Sequence, residues 1–345
     1  MRIELPISKS IANRLLILQA IHGDELMPVS DSMPDDVRIM SEAIRLLGER
    51  REARTDLGNC GTAMRFLTAY CAQLEGQTTI LDGVERMHHR PIGQLVDALR
   101  EIGADIDYLG EEGFPPLRIT GKTLDKSKPI TLNNPQSTQF VSALLLIGAN
   151  VQTDSTSPYI TVTRALIEQY TLASSPYRLS PLALERDWSS AAFWYEYVAL
   201  HGGEITLPGL SRDSLQGDKV VADIFAHLGV HTNYTTEGIM IYSSPLHPTP
   251  YTLHQNFASC PDLYPSVALT CERLGITLNA TGTESLPLKE SNRLRAVREH
   301  RTDADHRMAM ALLIAGYEVD NTACISKSYP QFLEHLLRIN TLKLQ

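Results

Sequence analysis

The sequence predicts an α/β protein of about two domains assembled from internally repeated units. Its 345 residues exceed what one ordinary hydrophobic core organises. A pattern of helix, glycine and strand recurs along the chain at uneven intervals of several tens of residues, which fits duplicated αβ units and not a short-period solenoid.

The clearest repeat pairs residues 96 to 108 with residues 222 to 234, where Asp97, Gly103 and Tyr108 answer Asp223, Gly229 and Tyr234. In both, apolar residues at helical spacing stop at the glycine, which can take the left-handed conformation of a helix C-cap, and alternating residues follow as a strand. Weaker copies run from Ile39 through Gly48 and from Ser266 through Gly275 into Ile276-Thr277-Leu278. The apolar run from Phe140 to Ala149 is too short to span a membrane and reads as a core helix.

Composition narrows the function. With 43% hydrophobic and 21% charged residues the chain reads as soluble and globular, and its formal charge of −9 argues against nucleic acid as a partner. An anionic substrate would therefore need basic residues gathered locally, because the global field opposes it and is screened by salt. Five cysteines form no CxxC pair, so neither a disulfide framework nor a zinc site is expected. Lys9 and Arg14 interrupt the early apolar stretch, which reads against a secretory signal; no membrane association and a cytoplasmic location are the expectation.

Several turns have the character of anion sites. Leu5-Pro6-Ile7-Ser8-Lys9-Ser10 leads into an apolar helical pattern, so that backbone N–H groups, Lys9 and Ser10 can converge on a phosphate or carboxylate. Gly58-Asn59-Cys60-Gly61-Thr62 offers small residues for close backbone approach, and Arg90, fixed by the following Pro91, suits a bidentate clamp. Gln136-Ser137-Thr138-Gln139 places polar side chains at another helix start. Cys260-Pro261-Asp262, Lys289-Glu290-Ser291-Asn292-Arg293 and Asp305-His306-Arg307 each set carboxylates beside cations ahead of an apolar run. Any one of these would pass for surface ion pairing. Their number and order do not.

Taken together with Asp35-Asp36-Val37-Arg38, Ser157-Pro158-Tyr159-Ile160, Gln216-Gly217-Asp218 and Ser326-Lys327-Ser328-Tyr329-Pro330, these motifs resemble, in order and over nearly the whole chain, those of the 3-phosphoshikimate 1-carboxyvinyltransferases. The resemblance implies the two-domain enolpyruvyl transferase fold, each domain three βαβαββ units with pseudo-threefold symmetry and substrates in the cleft. Domain I would hold residues 1–7 and 185–345, and domain II residues 8–184. Carried over motif by motif, Lys9, Ser10, Arg14, Ser137, Thr138, Gln139, Tyr159, Asp262 and Lys289 would contact shikimate 3-phosphate. Lys9, Asn59, Arg90, Gln139, Arg293, Arg307 and Lys327 would contact phosphoenolpyruvate. Asp262, Glu290 and Lys9 are the candidates for the proton transfers, with no metal and no cofactor, the cations supplying the electrostatic stabilisation. A monomer is expected.

The chain departs from the family pattern at Ile7 (glycine), Cys60 (alanine), Phe66 (proline) and Asn292 (aspartate of K-E-T-D-R), the last of which would remove a partner for nearby cations. Two rivals share the resemblance. One is the sister enzyme acting on UDP-N-acetylglucosamine, which carries a reactive cysteine where this chain reads Met87-His88-His89-Arg90; the other is a non-catalytic relative. The chain is also short around 151–155, 169–177 and 294–304. The expectation is that loop residues are omitted there, since a true deletion would strip edge strands from the sheets and expose unpaired backbone groups; an unbroken chain would favour the non-catalytic reading by tethering Asp305-His306-Arg307 too tightly to Arg293 for the family geometry.

Overall fold

The computed structural model describes residues 1–172, 185–244 and 251–343. It divides into two compact units: unit 1 comprises Met1–Lys9, Ser32–Asp35 and Leu184–Gln345, and unit 2 comprises Ser10–Asp31 and Asp36–Ala183.

In unit 2 the helices come in pairs. They are α1 (Lys9–His22) with α2 (Asp35–Glu49), α3 (Gly61–Ala72) with α4 (Gly93–Glu101), and α5 (Thr138–Leu146) with α6 (Pro158–Leu172). The first helix of each pair is apolar nearly all round and is buried, whereas α2 and α4 each bury a single stripe. The middle pair is framed by β1 (Glu52–Asp56), β2 (Thr78–Asp82), β3 (Asp105–Tyr108) and β4 (Leu117–Thr120), giving a complete βαβαββ unit. Its sheet has the order β1-β2-β4-β3, with β1 and β2 parallel and β4 antiparallel to both β2 and β3. Alternation along these strands turns Ala53, Thr55, Thr79, Leu81, Ile106, Leu117 and Ile119 inward. The parallel pair β5 (Ile130–Thr131) and β6 (Val151–Gln152) accompanies α5 and α6.

Unit 1 repeats the scheme. Its buried helices α7 (Trp188–His201), α9 (Tyr264–Leu274) and α11 (His306–Ile314) pack on one another, each followed by α8 (Val221–Ala226), α10 (Arg293–Glu299) or α12 (Phe332–Lys343). The first pair carries the antiparallel sheet β7 (Glu204–Pro208), β9 (Gly238–Ser243), β8 (Val230–Tyr234) in that order, and Arg2 near the N-terminus bridges to Thr206 of β7 in parallel. The second opens in the same way, with parallel β10 (Thr252–Asn256) and β11 (Thr277–Thr281), but no hairpin follows α10, and that sheet remains two-stranded among the described residues.

The repeated helix, glycine and strand are seen where the sequence places them. Gly103, Gly229 and Gly275 have positive φ and lead into β3, β8 and β11. Gly48 differs, because α2 runs through it to Glu49 and the turn into β1 follows.

Between Arg293 and Asp305 the chain closes in a tight turn. Helix α10 closes on His300 in the left-handed conformation, Arg301 N–H donates to the Ala296 carbonyl at 3.0 Å, and Asp305 N–H donates to the Thr302 carbonyl at 2.9 Å. A tight hydrogen-bonded turn thus replaces the hairpin. The chain is likewise continuous through residues 151–155, where Asp154 accepts from Asn134 N–H at 2.8 Å and Ser155 N–H donates to Thr153 Oγ1 at 3.2 Å. Of the third stretch, α6 extends to Leu172 and the remainder lies outside the described residues. No helix among the described residues is long and apolar enough to cross a membrane.

Candidate active site

In unit 1, three segments deliver charge to one place. Pro261 and a short 3-10 turn present Asp262 ahead of α9, Asn292 caps α10 and places Arg293 in its first turn, and Asp305 caps α11 directly before His306 and Arg307. Arg293, 1% exposed, reaches Asp262 Oδ1 at 2.7 Å, Glu290 Oε2 at 3.3 Å and Asp305 Oδ2 at 2.8 Å. Lys289 Nζ lies 3.4 Å from Asp262 Oδ1, Arg307 Nη2 lies 2.9 Å from Asp262 Oδ2, and Lys327 Nζ lies 2.9 Å from Glu290 Oε1. Three carboxylates are thereby held among four cations.

Electrostatics follow from this geometry. Burial opposes the charge on Asp262, but Arg307, Lys289 and Arg293 outweigh it and hold its carboxyl well below the usual range. Asp218 is the converse. Burial and the charge of Asp262 raise it to about 7, against the pull of Arg307 and the hydroxyl of Ser189, which donates to it. Burial also raises Asp187, opposed by Arg307, Ser190 and Lys9. His306, 1% exposed, is kept neutral by burial and by Lys9 and Arg307, and its ring has no hydrogen-bond partner among the described residues.

Unit 2 holds a second set. Arg14 on α1 is buried and donates from Nε to Thr163 Oγ1 at 2.7 Å, from Nη1 to Ser10 Oγ at 2.7 Å, and from Nη2 to Ser142 Oγ at 3.1 Å. Burial draws its pKa down to about 10. Arg90, extended before Pro91 as the proline requires, donates to the Asn59 carbonyl at 3.3 Å, while Arg65 donates to the Pro91 carbonyl at 3.0 Å. A Cβ on Gly61 would lie 2.5 Å from Arg90 Nη1 and 2.6 Å from Arg65 Nη1, so this turn admits only glycine with both arginines in place. Ser137 caps α5, and Gln139 Nε2 donates to Thr62 Oγ1 at 3.0 Å. Tyr159 contributes its carbonyl to Arg14 at 3.4 Å.

The sequence-predicted residues thus fall into two sets. Lys9, Asp262, Lys289, Glu290, Arg293, Arg307 and Lys327 belong to unit 1; Ser10, Arg14, Asn59, Arg90, Ser137, Thr138, Gln139 and Tyr159 belong to unit 2. Sequence reasoning assigned no role to Asp187, Asp218, Thr62, Arg65, Ser142 or Thr163. Asp218 had a signal in Gln216-Gly217-Asp218, and Asp187 had one in its position just before an apolar helix. Ser142 and Thr163 sit mid-helix and had none.

The departures from the family motif have local explanations. Asn292 Oδ1 accepts from Arg295 N–H at 3.1 Å as the cap of α10, a task that asparagine and aspartate share, while Asp262, Glu290 and Asp305 serve as partners for Arg293. Cys60 caps α3 through Sγ, which accepts from Ala63 N–H at 3.4 Å. Arg293 and Asp305 are in direct contact across the short turn between them.

Paired α/β units presenting buried cations and carboxylates from helix starts define a transferase of anionic substrates with the enolpyruvyl transferase fold. The profile of the family described as EPSP synthase (3-phosphoshikimate 1-carboxyvinyltransferase) matches residues 49–300 and 299–336, and the chain belongs to that family. It is 37% identical over 392 aligned positions to a 3-phosphoshikimate 1-carboxyvinyltransferase of Bacteroides fragilis, covering 97% of this chain and 94% of the relative. With one from Paraburkholderia phymatum the identity is 30% over 417 positions, covering 98% and 96%. Among solved structures, EPSP synthase from Acinetobacter baumannii superposes with a TM-score of 0.68 at 19% identity, covering 98% of this chain and 95% of that one. The enolpyruvyl transferase NikO from Streptomyces tendae gives 0.64 at 13% identity, covering 99% and 94%. These two likenesses bear on the fold.

Proposed function

We propose that the residues of these two sets carry out on this chain the reaction of its family: transfer of the enolpyruvyl group of phosphoenolpyruvate to the 5-hydroxyl of shikimate 3-phosphate, with release of phosphate. The hydroxyl oxygen adds to C2 of phosphoenolpyruvate as its proton leaves and C3 gains one. Phosphate then departs from C2 as C3 gives a proton back, restoring the double bond. The observation that carries the reading is Asp262, a carboxylate kept ionised by Arg293, Arg307 and Lys289 while Glu290 stands beside it on Lys327.

Both oxygens of Asp262 are engaged by cations, and in that state it is a weak base. Anionic groups of the substrates compete for Lys289 and Arg307, and each cation drawn away returns basicity to Asp262. The proton at the hydroxyl falls to Asp262 or Lys9, and that at C3 to Glu290 or Lys9. Arg90, Arg293, Arg307 and Lys327 stabilise the charge of phosphoenolpyruvate and the departing phosphate. In unit 2, Ser10, Arg14, Ser137, Thr138, Gln139 and Tyr159 serve shikimate 3-phosphate. The reading includes a cytoplasmic location and a monomer, and the net charge of −9 supports the absence of a nucleic-acid partner.

The test is phosphate release with both substrates, with and without a chelator. Release that requires shikimate 3-phosphate and ignores the chelator is the expected result; release that requires UDP-N-acetylglucosamine instead, or none at all, overturns the reading.

A further inference from the structure

We infer that Phe66 is a positioning residue for shikimate 3-phosphate, acting through Arg14; the inference rests on the substrate reading above. The guanidinium carbon of Arg14 stands 5.2 Å from the centroid of the Phe66 ring. Phe66 is 1% exposed and Arg14 is 2% exposed, so the contact is made away from water, where attraction between a cation and a ring face is strongest.

Arg14 needs such a support. Its hydrogen-bond acceptors, Ser10 Oγ and carbonyl, Thr163 Oγ1, Ser142 Oγ and the Tyr159 carbonyl, are all neutral, and no carboxylate pairs with it among the described residues. A buried cation without a counter-ion is held in place only by dipoles and by the negative face of a ring. The hydroxyls hold the N–H edges of the guanidinium, and the ring supports its central carbon. The sequence carries phenylalanine where the family motif has proline, and a proline ring has no π-face. This chain therefore has an aromatic surface for the buried Arg14 cation that the family motif does not provide.

The experiment compares the parent with Phe66→Leu, Phe66→Tyr and the Arg14→Lys and Arg14→Lys/Phe66→Leu variants, by steady-state kinetics and by calorimetric titration with shikimate 3-phosphate. Phe66→Leu is expected to weaken shikimate 3-phosphate binding and raise its KM by about 3- to 10-fold. The KM for phosphoenolpyruvate should move less than about two-fold, Phe66→Tyr should restore parental values, and Phe66→Leu should cost little further in the Arg14→Lys background. Equal losses for both substrates that track a fall in Tm and persist in the Arg14→Lys background would overturn the inference by showing plain core packing. So would unchanged shikimate 3-phosphate binding in Phe66→Leu. If the parent itself binds no shikimate 3-phosphate, the substrate reading fails first and the inference falls with it.

Discussion

Arg307 Nη2 stands 2.9 Å from Oδ2 of Asp262, closing a grip whose other side is Arg293 on Oδ1. These two arginines come from α10 and α11, which are joined by a short turn. The grip persists because Asp305 both caps α11, which carries Arg307, and binds Arg293 at 2.8 Å. Asp305 thus anchors both sides of the charged cluster.

Asp262→Asn keeps shape and loses the ability to take a proton. Turnover should fall by about 100-fold or more with a smaller change in the KM for phosphoenolpyruvate, as steady-state kinetics will show. A large rise in KM at unchanged kcat would mean that Asp262 only positions substrate.

Lys9 lies close enough to Asp187 and His306 to influence both electrostatically. Its replacement by methionine should lower kcat/KM by roughly 100-fold or more, the worth of a charge-assisted contact in the transition state, with an unchanged circular dichroism spectrum. Activity within a few-fold of the parent would remove Lys9 from the chemistry.

The buried carboxyl of Asp218 links pH to stability. Its folded pKa of about 7, set by burial and Asp262, lies above the ordinary carboxylate value. Its contribution is complete below the unfolded pKa and is lost as pH rises through 7. Asp218→Asn mimics the protonated acid and still accepts from Ser189. The variant's Tm should exceed the parent's by a margin that is smallest near pH 4, grows as pH rises and levels off above about pH 7, and equal pH dependence in the two would show that Asp218 is ionised throughout.

How far the sequence carried the fold is seen at particular residues. Gly103, Gly229 and Gly275 marked helix ends because a left-handed C-cap excludes most other residues, so local sequence dictates it. Gly48 misled because a helix accepts glycine in its last turn when packing on the apolar stripe of α2 continues. The cations of the site were legible from motif order. Ser142 and Thr163, by contrast, are small polar residues inside apolar helices, and nothing local distinguishes them from hydroxyls bonded to their own turn; only their convergence on Arg14 gives them meaning. The turn at 300–304 was not legible because it depends on three left-handed residues, His300, Asp303 and Ala304, none of them glycine.

That turn is a source of strain. Ala304 has φ 57°, a conformation that costs an alanine about 1 kcal/mol. Ala304→Gly should raise stability by about 0.5–1 kcal/mol in chemical denaturation. A loss of stability would show that entropy gained by the unfolded chain exceeds the relief.

The central claim is that C3 of phosphoenolpyruvate is protonated and then deprotonated by groups of this chain while shikimate 3-phosphate adds to C2. Turnover in deuterium oxide, followed by NMR of the product's vinyl group, tests it most directly. The account predicts deuterium in the product methylene, since a solvent-derived proton enters the transient methyl group before one is removed. Product formed with no deuterium at C3 would contradict the addition and elimination sequence, and absence of product with both substrates present would contradict the function.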